Sequence, residues 1–470
     1  MVEPAGSLHP RESGADSRAH EVASMYGLTP KVEAAIRDAF RDEKYQRLRT
    51  LIAPLHPADK AELLERLSEE DLKILVSQLG PDFDAEILPY LHEEVREDVR
   101  DLLNPDVFVA SLPQLESDDV VTIAGELDPE QLDEVLSALS IKERALIEQS
   151  LAYPEDSAGR MMQREMVVVP PFWTVGQAID FLRSSELDRA EFYLIMVTDA
   201  SGYPVGEVRL HKLLCTQRQR RIVEIMDTEI RSIPVTMDQE EVALLFRRYG
   251  MVTTSVIDAD GRLVGVITLD DIIDVIDEEA EEDLMALAGV SDASIRTSVL
   301  ETLRGRAPWL FVNLITAVIA SVVIGFFEST IEKIVALAVL MPIVTSMGGN
   351  AGTQTVTVAV RAIAMREFSP TVAITFILRE LYVGVANGLL FAVVTAGLSY
   401  VWFGDAQIAA VLGFAMLVNI VVAAISGTLI PLALVKIGVD PAVASSVFIT
   451  TITDVIGFLV FLGLATLYLL

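Results

Sequence analysis

A single cysteine, Cys215, in 470 residues excludes an intrachain disulfide and any cysteine-rich metal site. Positive charge is scarce as well: 36 Lys/Arg stand against 68 Asp/Glu, a net charge of −32. So acidic a surface repels nucleic acid and anionic headgroups and attracts cations, so divalent cations are expected partners and nucleic acid is not. The amino terminus lacks an apolar run, and no cleavable signal peptide is expected. Residues 1–26, rich in Gly, Ser, Pro and charge, read as a disordered tail. No hydrolase or transferase constellation is present, and no enzyme is expected.

What charge there is lies on one side. From residue 301 onward the chain holds 7 Lys/Arg and 8 Asp/Glu, leaving 29 and 60 in the first 300 residues. An acidic soluble half therefore precedes an almost uncharged apolar half. A bilayer core of roughly 30 Å takes about 20 apolar residues in a helix. Five segments meet this: 308–327, 334–364, 372–402, 406–436 and 442–470. In the second, Met347-Gly348-Gly349-Asn350-Ala351-Gly352 suggests an interrupted helix. Arg304, Arg306, Arg361, Arg366, Arg379 and Lys436 all fall on one side of the alternating loops, while the other side holds Glu328, Glu332, Lys333 and Asp405. Positive charge marks the cytosolic side, so the soluble half is expected in the cytosol and the carboxyl terminus outside. An odd number of spans disfavours an inverted repeat within one chain, and a pore on a two-fold axis between two copies is the simpler arrangement.

In the last segment Asp454 is the only charged residue between Ala442 and Leu470, with Ser445, Ser446, Thr450, Thr451 and Thr453 around it. A carboxylate at that depth costs about 2.5–3.5 kcal/mol on insertion scales, so a function is the first reading. Thr450 lies one turn earlier on the same face, and oxygen-only ligands suit Mg2+, Ca2+ or Mn2+. The alternative is a protonated acid hydrogen-bonded to a neighbouring helix. Asp440 stands at the cytosolic entrance of the same segment, beside Pro441, where an ordinary helix start is the competing reading.

In the soluble half, residues 27–153 show the 3–4 periodicity of short helices, with Ser68 and Asp128 opening new ones in similar contexts. This predicts an all-α superhelical scaffold whose acids form mostly a solvated face. From 154 onward strands and helices alternate in two similar units, 154–218 and 219–281. The order is strand, helix, strand, turn, strand, helix; the second unit carries Leu263-Val264-Gly265-Val266-Ile267-Thr268. It resembles a tandem CBS-domain pair. In many CBS units a Thr-x-x-Asp holds an adenosine ribose. Thr268 and Asp271 supply it in the second unit, a helix cap by Thr268 being the alternative, whereas Arg209-Leu210-His211-Lys212 in the first unit lacks it. Residues 270–283 hold nine acids in 14 positions with no base. On a helix such acids repel at spacings of three and four, and a divalent cation would relieve that repulsion; a solvated linker is the alternative. A connecting segment, 282–303, then leads into the first span.

Taken in order, these parts resemble the MgtE-type magnesium channels from about residue 27 to the end. The most specific residues are Gly348-Gly349-Asn350-Ala351-Gly352-Thr353-Gln354, Gly438-Val439-Asp440-Pro441 and Thr453-Asp454-Val455-Ile456-Gly457. The resemblance implies a multidomain fold: an N-terminal superhelical domain, tandem CBS domains, a connecting plug helix and five transmembrane helices over 304–470. It implies a homodimer in a bacterial inner membrane, taking up Mg2+ through a pore between the subunits. Asp454 would bind hydrated Mg2+ midway with a backbone carbonyl near Thr450, Asn350 would line the path, and Asp440 would bind at the mouth. Asp271, Asp274, Glu279, Glu282, Asp283, Asp238 and Glu240 match positions that bind regulatory Mg2+. Gly250, where relatives can place another acid, is a departure.

Overall fold

The computed structural model describes residues 27–184, 192–290, 299–366, 368 and 370–470. The expected tail, 1–26, and residues 291–298 of the expected connecting segment lie outside the described residues. The chain divides into two compact units, Met1–Val275 and Ile276–Leu470.

The first unit opens with α1 Pro30–Arg41, α2 Tyr45–Ile52, α3 Pro57–Arg66, α4 Glu69–Leu79, α5 Glu93–Leu102, α6 Pro105–Ser111, α7 Ser117–Gly125, α8 Pro129–Ala138 and α9 Ile141–Leu151. One local device starts several of them. Thr29, His56 and Asn104 each precede a proline, and each side chain accepts the N–H of a residue in the first turn. Proline fixes φ and removes a donor that the helix start would leave unpaired. Ser68 accepts from Asp71 N–H, and Asp128 forms a capping box with Gln131, as the sequence predicts. Between these starts Leu48, Leu64, Leu72, Leu75, Leu88, Val99 and Leu112 are buried in one core.

After α10 Ala158–Met161 come the two predicted repeats. The first comprises β1 Val168–Val169, α11 Val175–Ser184, β2 Leu194–Thr198, β3 Pro204–Arg209 and α12 Leu210–Leu214. Following α13 Ile222–Ile225, the second comprises β4 Ile233–Pro234, α14 Gln239–Tyr249, β5 Thr253–Ile257, β6 Leu263–Thr268 and α15 Leu269–Ala288. Each sheet has three strands, the first pair parallel and the second antiparallel, with a bulge at the equivalent point, Val197/Thr198 or Val256/Ile257. The repeats exchange edges: Gln163, leading into the first, bridges Val266 of β6, and Asp227, leading into the second, bridges Glu207 of β3. Two glycines permit that exchange. A Cβ at Gly206 would lie 2.8 Å from Met226 Sδ and 2.9 Å from Asp227 O; one at Gly265 would lie 2.8 Å from both Met162 Sδ and Gln163 O.

The second unit holds the remainder of α15, then α16 Val299–Gly325, α17 Glu328–Lys333, α18 Ala336–Ala364, α19 Pro370–Phe403, α20 Ala406–Lys436 and α21 Pro441–Leu469. Among the described residues four helices are long and apolar enough to cross a membrane, in α16, α19, α20 and α21. The fifth expected span, α18, is a helix of 29 residues whose polar stretch 345–354 dilutes its hydropathy. It is not interrupted: the helix runs unbroken through Gly348, Gly349 and Gly352. Gly348 and Gly352 admit neighbours instead of breaking the helix, since a Cβ at Gly348 would collide with Asn419 and one at Gly352 with Ile449. The most buried of the four spans is α20, and Leu340, Val344, Leu412, Met416, Phe461 and Leu462 are buried where α18, α20 and α21 meet.

Gly265→Ala is expected to cost about 1–3 kcal/mol, because the nearest obstacle is backbone and cannot rotate away. The check is the denaturant midpoint of the soluble unit; an unshifted midpoint would remove the close-approach role.

Candidate functional site

Two groups of carboxylates stand out, one in each unit. In the second unit Asp454 lies at the middle of α21, half-buried, and its carboxyl makes no hydrogen bond or ion pair among the described residues. One turn earlier Thr450 is exposed, while Thr453 is fully buried and donates to the carbonyls of Ile449 at 3.0 Å and Thr450 at 3.1 Å. Thr453 thus turns inward and orients the carbonyl of the exposed residue. Asn350 is exposed on α18, two residues after buried Gly348. The side chains of Ser445 and Ser446 lie outside the described residues.

At the start of α21, Asp440 caps the helix by accepting Ala442 N–H at 2.7 Å. It is also an electrostatic neighbour of Asp283, whose pKa is raised by burial first and then by Asp440 and Glu282. Ala286, one turn after Asp283, is buried with Val356, Val360, Ala442 and Ile449, so α15 packs on α18 and α21 at this end. Glu279 is half-buried and Glu282 exposed on the same helix.

In the first unit Asp271 faces a group that the sequence reading passed over. Thr268 Oγ1 donates to Asp271 Oδ2 at 2.7 Å, a bond between two side chains at the start of α15. Near Asp271 lie Asp118 and Asp119 of α7, with Glu116, Asp270 and Asp274 close by. Asp118 is only 6% exposed, and its Oδ1 has no hydrogen-bond partner among the described residues. Burial raises its pKa, and the charges of Asp271, Asp119 and Glu116 raise it further. The same causes, burial first, carry Glu116 and Asp119 to about 7. Burial takes Asp271 to about 6 against the hydrogen bond from Thr268. Arg96 offsets part of the charge on Asp119 and pairs with Glu126 at 3.5 Å. A second set of bonds docks α7 beside the lead-in of the first repeat: Ser117 Oγ donates to Glu165 Oε2 at 2.6 Å, and Arg164 N–H donates to Ser117 Oγ at 2.8 Å.

Glu116, Asp118 and Asp119 read as ordinary acids in the first turn of a helix, where the macrodipole favours them. The available signal was register. Asp118 precedes Val121 by three positions and so falls on the face that Val121 buries. Asp238 and Glu240 are placed differently, at the start of α14, where Asp238 Oδ1 accepts Glu240 N–H at 3.0 Å. Among the described residues no group of three or more His, Cys, Asp or Glu is disposed to hold a metal ion.

The parts carrying these residues match known protein families. A family described as the MgtE intracellular N domain matches residues 55–156, the CBS domain matches 222–278, and a family described as a divalent cation transporter, MgtE, matches 341–464. The magnesium transporter MgtE of Bacillus subtilis (strain 168) is 33% identical over 336 residues, covering 71% of this chain and 74% of that protein. The chain belongs to the MgtE family. The magnesium transporter MgtE of Enterococcus faecalis (strain ATCC 700802 / V583) is 35% identical over 329 residues, 70% of this chain and 72% of that protein. A solved structure of the cytosolic domain of the Mg2+ channel MgtE in complex with ATP is 30% identical, with a TM-score of 0.49, over 52% of this chain and 99% of that one. The layout expected from sequence, a helical N-terminal domain, CBS repeats and a helical membrane region, is that of the MgtE family, and its relatives are named as transporters.

The raised carboxyls fix a pH dependence. Glu116, Asp118, Asp119 and Asp271 hold protons more tightly folded than unfolded, so from about pH 4 to about pH 7 the folded chain binds more protons and stability falls as pH rises. Trp173 is the only tryptophan in the soluble half, so a Trp309→Phe, Trp402→Phe background isolates its unfolding signal. Without divalent cations the unit should melt at higher temperature near pH 5.5 than near pH 8. Asp118→Asn should raise the value near pH 8 by about 2–4 °C, the shift that ~1 kcal/mol gives in a unit of this size. A melting temperature indifferent to pH would refute the assignment.

Proposed function

We propose that this chain mediates Mg2+ uptake across a bacterial inner membrane, as a homodimer with its amino-terminal half in the cytosol, and is closed by cytosolic Mg2+. The observation that carries the reading is the Asp454 carboxyl: half-buried at mid-helix in an apolar segment, with no protein partner among the described residues to neutralise it. Such a group is expensive unless a cation meets it. Mg2+ sheds its water reluctantly and binds through one or two carboxylates while keeping several waters. Asp454 supplies charge to that hydrated ion; Asn350, Thr450 and the Thr450 carbonyl accept from its waters, and Asp440 attracts it at the cytosolic mouth. The membrane potential is worth about 2.3 kcal/mol per charge per 100 mV, doubled for a divalent ion, and drives it inward.

Closure follows from linkage. A ligand that binds the closed arrangement better shifts the population toward it. Asp271, Asp274 and the α7 acids form one cation-hungry group; Asp283 with Asp440, and Glu279 and Glu282 on the same helix, form another. Asp238 and Glu240 are candidates for a further ion. High cytosolic Mg2+ neutralises these groups and holds the carboxyl-terminal part of α15 against α18 and α21. As working boundaries we take 27–153 for the helical domain, 154–218 and 219–281 for the CBS repeats, 282–303 for the connecting plug and 304–470 for the membrane domain. An adenosine nucleotide at the CBS repeats would need Thr268 and Asp271 to give up their mutual hydrogen bond.

In proteoliposomes, Asp454→Ala is expected to abolish Mg2+ uptake, with Mn2+ and Co2+ as competitors in the wild type to rank selectivity. Wild-type uptake in Asp454→Ala would overturn the proposed path. For closure, millimolar Mg2+ should raise the melting temperature reported by Trp173 more near pH 8 than near pH 5.5, where protons already neutralise the cluster. Neutralising Asp271, Asp274, Glu279, Glu282 and Asp283 together should leave uptake active at high internal Mg2+, and unchanged inhibition would reject the sensor.

A further inference from the structure

We propose that Asn419 is a positioning residue for the ion path, its amide fixing the helix that carries Asn350 and the helix that carries Asp454 in one register. The inference rests on the proposed function, since register matters in this way only if those two side chains handle the ion. Asn419 is fully buried in α20, the most buried of the four spans. Its Nδ2 donates to Val344 O of α18 at 2.8 Å. The space for the amide is provided by glycine on both sides. A Cβ at Gly348 of α18 would collide with Nδ2, and one at Gly457 of α21 would lie 2.9 Å from it. Asn350 is two residues beyond Gly348, and Asp454 is three residues before Gly457. One side chain therefore reaches, within a turn, both helices that present candidate ion-handling groups.

Packing energy does not account for the amide. Asn419 Oδ1 is buried without a hydrogen-bond partner among the described residues, and an orphaned buried acceptor carries a penalty. A leucine of similar shape would remove that penalty. A lone polar group in an apolar helix interface gives up stability and gains register, because only one axial alignment satisfies it. Sliding α18 by one residue would take Val344 O away from the amide, and in one direction it would also bring the Cβ of Met347 where Gly348 now leaves room. Gly348, one of the glycines that the sequence suggested as a helix break, is a socket of this lock, and Gly457 is the other.

Asn419→Leu separates register from stability. Purified Asn419→Leu is expected to melt at or above the wild-type temperature, while the Mg2+ concentration for half-maximal uptake in proteoliposomes rises about tenfold, the size of effect that a displaced binding geometry produces. A folded Asn419→Leu protein with wild-type half-saturation overturns the proposal, whatever its melting temperature. Should Asn419→Leu fail to fold, Gly348→Ala combined with Asn419→Ala fills part of the vacated space without the hydrogen bond. The same raised half-saturation is expected there, and a wild-type value again overturns the proposal. Asp454→Ala is run in parallel. If it retains uptake, the path itself is wrong; if it is inactive while Asn419→Leu is normal, only the positioning role falls.

Discussion

Glu116, Asp118, Asp119 and Asp271 ionise only at a cost in the space they share, and a cation that joined them would lower it. Each loses water on burial and gains other anions as neighbours, and Arg96 offsets only part of that charge. Two species can relieve the strain, a proton or a metal cation. Near neutral pH Glu116 and Asp119, at about 7, and Asp271, at about 6, are only partly protonated, which leaves room for a divalent cation to compete. The arrangement stores a preference for whatever brings positive charge, and that preference is larger when α7 is docked beside α15 than when water surrounds each acid.

The second unit poses the same problem in a different solvent. Asp454 has apolar helix on both sides along the chain, and no arginine or lysine of α21 accompanies it. At the start of that helix the charge of Asp440 raises the cost of ionising Asp283, while Ala286 packs into the apolar seam next to them. Under the proposed function a cation that relieves the Asp283–Asp440 repulsion strengthens the packing of α15 on α18 and α21. Binding there and conduction past Asp454 are then opposed through one helix, without a separate signalling element.

Much of this was written in the chain. Cap–proline starts such as Asn104-Pro105, the alternation that builds each three-stranded sheet, and the isolated Asp454 are local or compositional signals, and they survive folding because nothing distant overrides them. Two readings needed the third dimension. Asp118 belongs to a first turn whose acids are ordinarily solvated, and only the packing of the folded unit makes it buried. Gly348 and Gly352 are ambiguous in sequence, because glycine both breaks helices and admits close neighbours, and the deciding groups, Asn419 and Ile449, lie tens of residues away.

Under the proposed function the acids along the ion path are few, Asp454 alone and Asp440 beside Asp283, and this bears on which cation fits. Ca2+ is bound by six to eight oxygens in flexible cages, whereas Mg2+ keeps much of its water and needs few protein ligands, correctly spaced. Asp283 with Asp440, and Asp454, would offer charge without a cage. Selection then depends less on the number of carboxylates than on the width of the space left for a hydrated ion. Under the proposed function, width at Asp454 is a matter of helix register, so the buried amide of Asn419 and the glycines that receive it would bear on ion choice as directly as the acid itself.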